Sequence, residues 1–327
     1  MSALLDRHCL VTGGAGYVAA SLVSQLAPLA ASVRRFGRSE ARPPAPAGRA
    51  RIEDWVGDVR KRDDFERALA GIDVVFHLAS QTSVYVADQD PPADLEANVL
   101  PMQHLLEHCR NAQRPLVVVF ASTVTITGLA EKLPVSEDTP DVPVTTYDLH
   151  KRMAEQYLEF YVRRGLVRGG TLRLANVYGP GPKSSRADRG VLNAMVRRAL
   201  AGETLKVYGS GEYTRDYVYV DDVARAFVNA AEHPDALAGQ SLVLSNGHGV
   251  TLRHAIGRVA ALAQEHTGKP VAVEHVEAPA SLSPIEYRNF VGDTARLQKA
   301  TGWAPRVDLD EGIRRTIATF ASEQETT

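Results

Sequence analysis

The chain has 327 residues, which at roughly 150 per domain leads us to expect about two domains around a sizeable core. Its 44% hydrophobic and 23% charged residues, with 25 Gly and 18 Pro, are ordinary for a globular protein and exclude disordered, collagen-like and low-complexity classes. Lys and Arg total 37 against 39 Asp and Glu, a net charge of −2 that offers no overall field for a polyanion or an anionic membrane, so neither nucleic acid nor a membrane is an expected partner.

The balance hides one local excess, because residues 34–51 hold six arginines and a single acid, Glu40. Cys9 and Cys109 cannot build a disulfide framework and lie in no metal-ligand spacing, so reduced thiols and no metal are expected. The first residues show no basic segment leading into an apolar one, and no apolar run reaches the roughly 18 residues of a membrane span. A soluble cytoplasmic setting is the expectation.

Along the chain, short β-branched runs alternate with helical-period segments. Cys9-Leu10-Val11 leads through a glycine turn into a helix over 17–26, a second strand runs to about Arg35, and Pro43, Pro44 and Pro46 mark 42–50 as an exposed loop. Gly57-Asp58-Val59 follows another extended run; Val74-Val75-Phe76 precedes a helix over 95–110; Val117-Val118-Val119-Phe120 comes next. This grammar predicts an α/β, doubly wound parallel sheet covered on both faces. Beyond Leu172, Gly179-Pro180-Gly181-Pro182 and Gly209-Ser210-Gly211 cut the chain into shorter pieces, although 217–231 again reads as a strand and helix returning to the main sheet. The expected division is 1–175 with 214–245 as a dinucleotide-binding domain, and 176–213 with 246–327 as a smaller, interleaved substrate domain.

Thr12-Gly13-Gly14-Ala15-Gly16-Tyr17-Val18-Ala19 sits between the first strand and its helix. Gly13 permits the tight turn and Gly16 lets backbone approach a pyrophosphate, which would rest at the helix N-terminus against the free N–H groups of Tyr17 and Val18. Asp58 can accept from an adenine amino group, or it can cap the helix that starts near Lys61. Tyr147 and Lys151, four apart, share a helix face, where an ammonium beside a phenol favours the phenolate needed to exchange a proton with an alcohol or carbonyl oxygen. Ser122 and Thr123 close the apolar strand before it, at the carboxyl end where such sheets bind ligands.

With these residues in place the chain resembles the extended short-chain dehydrogenase/reductases, the NAD-dependent epimerase/dehydratase group. TGGAGYVA, GDVR, HLAS, Asn98, ASTVTITG, YDLHK, LRLANVYGPG and RDYVYVDDVA occur in that group's order over nearly the whole chain. The resemblance implies a Rossmann-type domain, a nicotinamide dinucleotide and catalytic Thr123, Tyr147 and Lys151; counted back from Gly128, the group's catalytic hydroxyl falls on Thr123 rather than Ser122. It implies cofactor contacts at Asp58, Val59, Leu78, Ala79, Ser80 and Asn98, and substrate contacts at Thr82, Asn176, Arg215 and Arg288. A guanidinium at 215 suits a diphosphate bidentately, although an ion pair with neighbouring Asp216 is the plain structural alternative. Helices over 95–110 and 147–163 match a family homodimer interface.

Fold does not choose among the reactions of this group. Val124 and Thr125 stand where sugar 4,6-dehydratases carry Asp-Glu, which argues against water elimination. Arg34, Arg35 and Arg38 stand where NAD-preferring sites carry an acid for the ribose 2′-hydroxyl, so NADP(H) is expected over NAD(H), with Arg38 meeting the 2′-phosphate and 42–51 a solvated loop. Exchangeable NADPH, with segments similar to the deoxysugar 4-ketoreductases of antibiotic pathways, leads us to expect reduction of a nucleoside-diphosphate 4-keto-6-deoxyhexose. The alternatives are an NAD-dependent nucleotide-sugar 4-epimerase and a non-catalytic NADP-sensing protein. Ile126-Thr127-Gly128 departs from the VYG common in the group, and His77 reads as structural.

Overall fold

In the computed structural model residues 2–40, 42–182 and 190–325 are described. The strands in chain order are β1 (His8–Thr12), β2 (Ser32–Gly37), β3 (Arg51–Val56), β4 (Val74–His77), β5 (Leu116–Thr123), β6 (Val167–Leu174), β7 (Asn176–Tyr178), β8 (Leu205–Tyr208), β9 (Thr214–Tyr219), β10 (Ser241–Leu244), β11 (Gly249–Thr251) and β12 (Val273–Val276). The helices are α1 (Tyr17–Leu26), α2 (Arg62–Leu69), α3 (Val84–Gln89), α4 (Pro91–Asn98), α5 (Leu100–Arg110), α6 (Thr146–Arg163), α7 (Val191–Leu200), α8 (Val220–Glu232), α9 (Pro234–Leu237), α10 (Leu252–Thr267), α11 (Ala295–Thr301) and α12 (Leu309–Glu325).

Seven strands form one sheet in the order β10-β6-β5-β4-β1-β2-β3, with every pairing parallel. The strands are apolar on both sides because both faces are covered. One core packs α1 and α8 residues such as Leu22, Val23 and Phe227 against Val11 and Phe76; the other packs Phe65, Leu105 and Leu158 against Leu10, Val75 and Val118. Chain order reverses between β1 and β4, and a crevice opens above their carboxyl ends, where sheets of this kind bind ligands.

Two expected elements differ. The helix expected over 95–110 is a pair, α4 and α5, interrupted at Val99. Pro101 lies in the first turn of α5 and has no N–H to carry a continuous helix through that point. The strand expected from 217 onward does not rejoin the main sheet: β9 pairs with β7 and β11 in a separate three-stranded sheet. The main-sheet edge is filled by β10, in register with β6 from Ser241 opposite Thr171 to Leu244 opposite Leu174. Asp216 holds β9 where it is by accepting backbone N–H bonds from Asn246, Gly247 and Gly292. Only α8 returns, packing on α1. A further core joins α7, α10 and α12 to β8 and β9.

Candidate active site

The glycine turn is shaped by close approach. Gly13 has φ +68°, and a Cβ on it would stand 3.2 Å from Ala79 backbone; one on Gly16 would stand 2.8 Å from the Gly13 carbonyl oxygen. Gly16 opens α1 with no side-chain cap and the first turn carries no acid, so the N–H groups of Tyr17 and Val18 remain available to an anion. The Tyr17 hydroxyl donates to the Gly179 carbonyl at 2.8 Å, tying the turn to the chain after β7. These residues fit a dinucleotide pyrophosphate.

Across the crevice, Thr12 Oγ1 accepts the N–H groups of Leu78 and Ala79, each at 3.0 Å, and lies 2.9 Å from His77 Nδ1. With two N–H bonds already on that oxygen, its own proton goes to Nδ1, which makes His77 the neutral Nε2–H tautomer. Burial pushes this imidazole down to about 3, so His77 is the structural residue expected, holding 78–79 beside Gly13. Ser80 Oγ donates to Asn98 Oδ1 at 2.6 Å, and Asn98 Nδ2 donates to the Gln81 carbonyl and to Asp94 Oδ1. Asn98 is 2% exposed and braces the 80–81 loop. His150 closes this network, its Nδ1 2.7 Å from Asp94 Oδ2.

Arg34 stacks over Trp55 and bonds Glu53 with the Ala68 and Ala70 carbonyls, while buried Arg35 makes a two-pronged pair with Asp54. Both are engaged on the β2–β3 edge, whereas Arg38 just past the end of β2 is exposed. Arg38 acts on the Asp58 carboxylate, which sits below its ordinary range chiefly because Arg60 bonds it. Asp58 therefore turns on Arg60 rather than capping α2, whose N-cap is Lys61. Val59 follows, its carbonyl 3.3 Å from His104 Nδ1. Arg42, expected in a solvated loop, is instead 4% exposed in its side chain; it donates to the Gly37 and Trp55 carbonyls, and its Nε ion-pairs with Asp54 at 3.6 Å without a hydrogen bond.

β5 delivers Thr123, and α6 delivers Tyr147 and Lys151, to the crevice; Tyr147 is 8% and Lys151 2% exposed. Ser122 is buried and lies on the opposite face of the strand from Thr123. Lys151 Nζ donates to the Ala121 carbonyl at 2.7 Å and lies 4.2 Å from the centroid of the Phe120 ring. Burial brings this ammonium down to about 7. A buried ion cluster fixes the helix behind it: Glu155 bonds Arg173 of β6, which also makes a two-pronged pair with Asp141. Thr123 Oγ1 lies 2.7 Å from Thr125 Oγ1, and Thr125 in turn donates to Asp148. The Asp148 carboxylate is not among the expected site residues. Its signal was Thr145-Thr146-Tyr147-Asp148, a T-x-x-D capping pattern, and Thr145 is indeed the N-cap.

On the other wall, Arg215 donates to the Glu286 carbonyl at 2.7 Å and to the Arg288 carbonyl; Asp216 is engaged elsewhere, so the 215–216 ion pair does not form. Arg288 donates to Ile285 O at 2.9 Å and reaches Asn176 Oδ1 at 3.3 Å, with its Nε unpartnered. Burial, with Arg215 adding its charge, brings Arg288 down to about 10. Arg215 also ion-pairs with the Glu286 carboxylate at 3.6 Å, and the rest of both buried guanidiniums is met mainly by carbonyls; guanidinium forks of this kind match phosphate oxygens. Thr82 lies exposed in the loop before α3. Among the described residues no group of three or more His, Cys, Asp or Glu could hold a metal, and no helix is long and apolar enough to cross a membrane.

The NAD dependent epimerase/dehydratase family matches residues 9–244. The UDP-glucose 4-epimerase of Mycolicibacterium smegmatis is 32% identical, covering 97% of this chain and 99% of its own. Among solved structures, the UDP-glucose 4-epimerase of Thermotoga maritima with UDP-glucose superposes at a TM-score of 0.83 with 28% identity, covering 97% of this chain and 99% of that one. The UDP-glucose 4-epimerase of Thermus thermophilus in complex with NAD gives 0.78 with 31% identity over 96% and 99%. These likenesses are to UDP-sugar 4-epimerases and not to the deoxysugar 4-ketoreductases that the motifs suggested. The chain belongs to the NAD-dependent epimerase/dehydratase family and is an NAD(P)-dependent enzyme with a Rossmann-like fold.

Proposed function

We propose that this enzyme interconverts the C4 epimers of a UDP-linked hexose. The reading is supported by the likeness over 97% of the chain to a UDP-glucose 4-epimerase, and by a buried Tyr147 and Lys151 on α6 whose neighbour Asp148 lies close enough to Arg288, itself beside Arg215, to act on its charge. The glycine turn, Leu78, Ala79 and Lys151 hold the dinucleotide, which when bound supplies a hydride acceptor for the sugar carbon. Tyr147 takes the proton from the sugar hydroxyl and returns it, and Thr123 hydrogen-bonds the same oxygen. Lys151, buried on the same face of α6 as Tyr147 and charged below about pH 7, stabilises negative charge at the phenol and alkoxide oxygens, where a fixed charge in a dry site acts most strongly. Arg215 and Arg288 bind the diphosphate, with Asn176 steadying Arg288. Exposed Tyr157 and Phe160 on α6, with Leu95 on α4, support a homodimer across this helical face.

A second reading, NADPH-dependent reduction of a nucleotide-linked 4-keto sugar, is favoured by exposed Arg38 just past the end of β2, which suits a 2′-phosphate. The discriminating experiment incubates the purified protein with UDP-galactose and no added cofactor. Formation of UDP-glucose, with NAD released on denaturation, supports the epimerase; no interconversion, together with stoichiometric NADPH consumption on a keto sugar, overturns it.

A further inference from the structure

Behind the reacting set lies a line of oxygens that the proposed chemistry does not use. Thr123 Oγ1 is 2.7 Å from Thr125 Oγ1; Thr125 Oγ1 donates to Asp148 Oδ1; and Thr145 Oγ1 donates to Asp148 Oδ2 at 2.7 Å. Asp148 follows Tyr147 directly on α6 and is 0% exposed. An N-terminal helix carboxylate needs no such burial to cap its helix, because Thr145 already does so by accepting the Asp148 N–H at 3.2 Å. A buried carboxylate is expensive unless its oxygens are bonded, and here each oxygen meets one hydroxyl.

Counting protons gives the line a direction. An ionised carboxylate only accepts, and each threonine hydroxyl has one proton to give. With Asp148 ionised, Thr125 spends its proton on Asp148 and must accept from Thr123. The Thr123 proton then points away from the crevice. Since Thr123 Oγ1 also accepts the Thr125 N–H at 3.2 Å, it offers the substrate a lone pair alone, suited to an alcohol O–H and repelled by a carbonyl oxygen. With Asp148 protonated and donating to Thr125, each link reverses, and Thr123 is free to donate to a carbonyl oxygen.

We propose that Asp148 and Thr125 are positioning residues that set the polarity of the Thr123 hydroxyl, so that the proton on Asp148 decides whether Thr123 accepts from an alcohol or donates to a ketone. This rests on Thr123 being the hydroxyl that meets the reacting oxygen. Two charged groups from neighbouring elements face the carboxylate: Asp88 of α3 favours its protonated form, and Arg288 favours the ionised one. Burial is the largest influence and raises Asp148 above its ordinary range.

The test is infrared titration of the full-length protein labelled with 13C-aspartate, with Asp148→Asn locating the band. Thr123→Val and Thr125→Val, which leave Asp148 in place, are compared with wild type. Thr123→Val should move the Asp148 midpoint by about half a pH unit, the size of one net hydrogen bond passed along the line. Thr125→Val should move it further and remove the Asp148 inflection from the pH profile of UDP-hexose turnover, and Thr125→Ser should restore both. An unchanged midpoint in Thr123→Val, or a wild-type pH profile in Thr125→Val, overturns the proposal. If the wild type turns over no UDP-hexose, the proposed function fails while the midpoint still decides this inference.

Discussion

Replacing Lys151 with methionine isolates the energetic consequence of burying an ammonium beside the reacting groups. The side chain is 2% exposed, and burial brings its pKa from 10.5 down to about 7. A folded-state value below the unfolded one means that the unfolded chain binds more protons across pH 7 to 10.5, so stability rises with pH through that window and the penalty is fully present below it. The difference of 10.5 − 7 = 3.5 units, at about 1.36 kcal/mol each, sets a ceiling of about 5 kcal/mol. Methionine keeps the shape and packing on Phe120 but loses the bond to Ala121 O, worth about 1 kcal/mol. Lys151→Met is therefore expected to be more stable than wild type by about 2–4 kcal/mol at pH 6, with the gap closing by about pH 10. Urea unfolding of both dinucleotide-free proteins at several pH values measures it. A stability difference constant across the range refutes the reasoning, because only a titrating lysine gives it a slope.

Glu155→Gln leaves the Arg173 guanidinium with Asp141 as its remaining anionic partner, and unfolding free energy should fall by about 3 kcal/mol in denaturant titration. Arg215→Met removes a charged donor from the proposed diphosphate receptor; KM for a UDP-sugar should rise about 10- to 100-fold with kcat little changed, as steady-state kinetics will read. Arg38→Asp should weaken NADP(H) relative to NAD(H) about tenfold in competition binding, and an unchanged ratio assigns the 2′ position to other residues.

The parts of the molecule legible in the sequence are those dictated by local chemistry. The β1 run, its glycine turn and α1 are contiguous, so the cradle could be read directly, and the apolar runs of β4 and β5 announced buried parallel strands. Tyr147 and Lys151 are related by helix periodicity alone. What could not be read depends on partners distant in sequence. Arg34 and Arg35 looked free until Glu53 and Asp54 came opposite them on β3, and Arg42 looked solvated until the loop folded its guanidinium onto Gly37 and Trp55. Which strand fills the sheet edge was likewise a contest between β9 and the four-residue β10, settled by backbone bonds to Asp216. The choice between epimerase and ketoreductase lay beyond the motifs, since both reactions use the same hydroxyl, phenol and lysine.

The central claim, that Tyr147 exchanges the proton in this crevice, is tested by Tyr147→Phe. UDP-galactose to UDP-glucose interconversion is followed by chromatography of the nucleotides, and retained dinucleotide is quantified in the same preparation. The account predicts a loss of about 10²- to 10⁴-fold in kcat with the dinucleotide content unchanged. Turnover within a few-fold of wild type would contradict it.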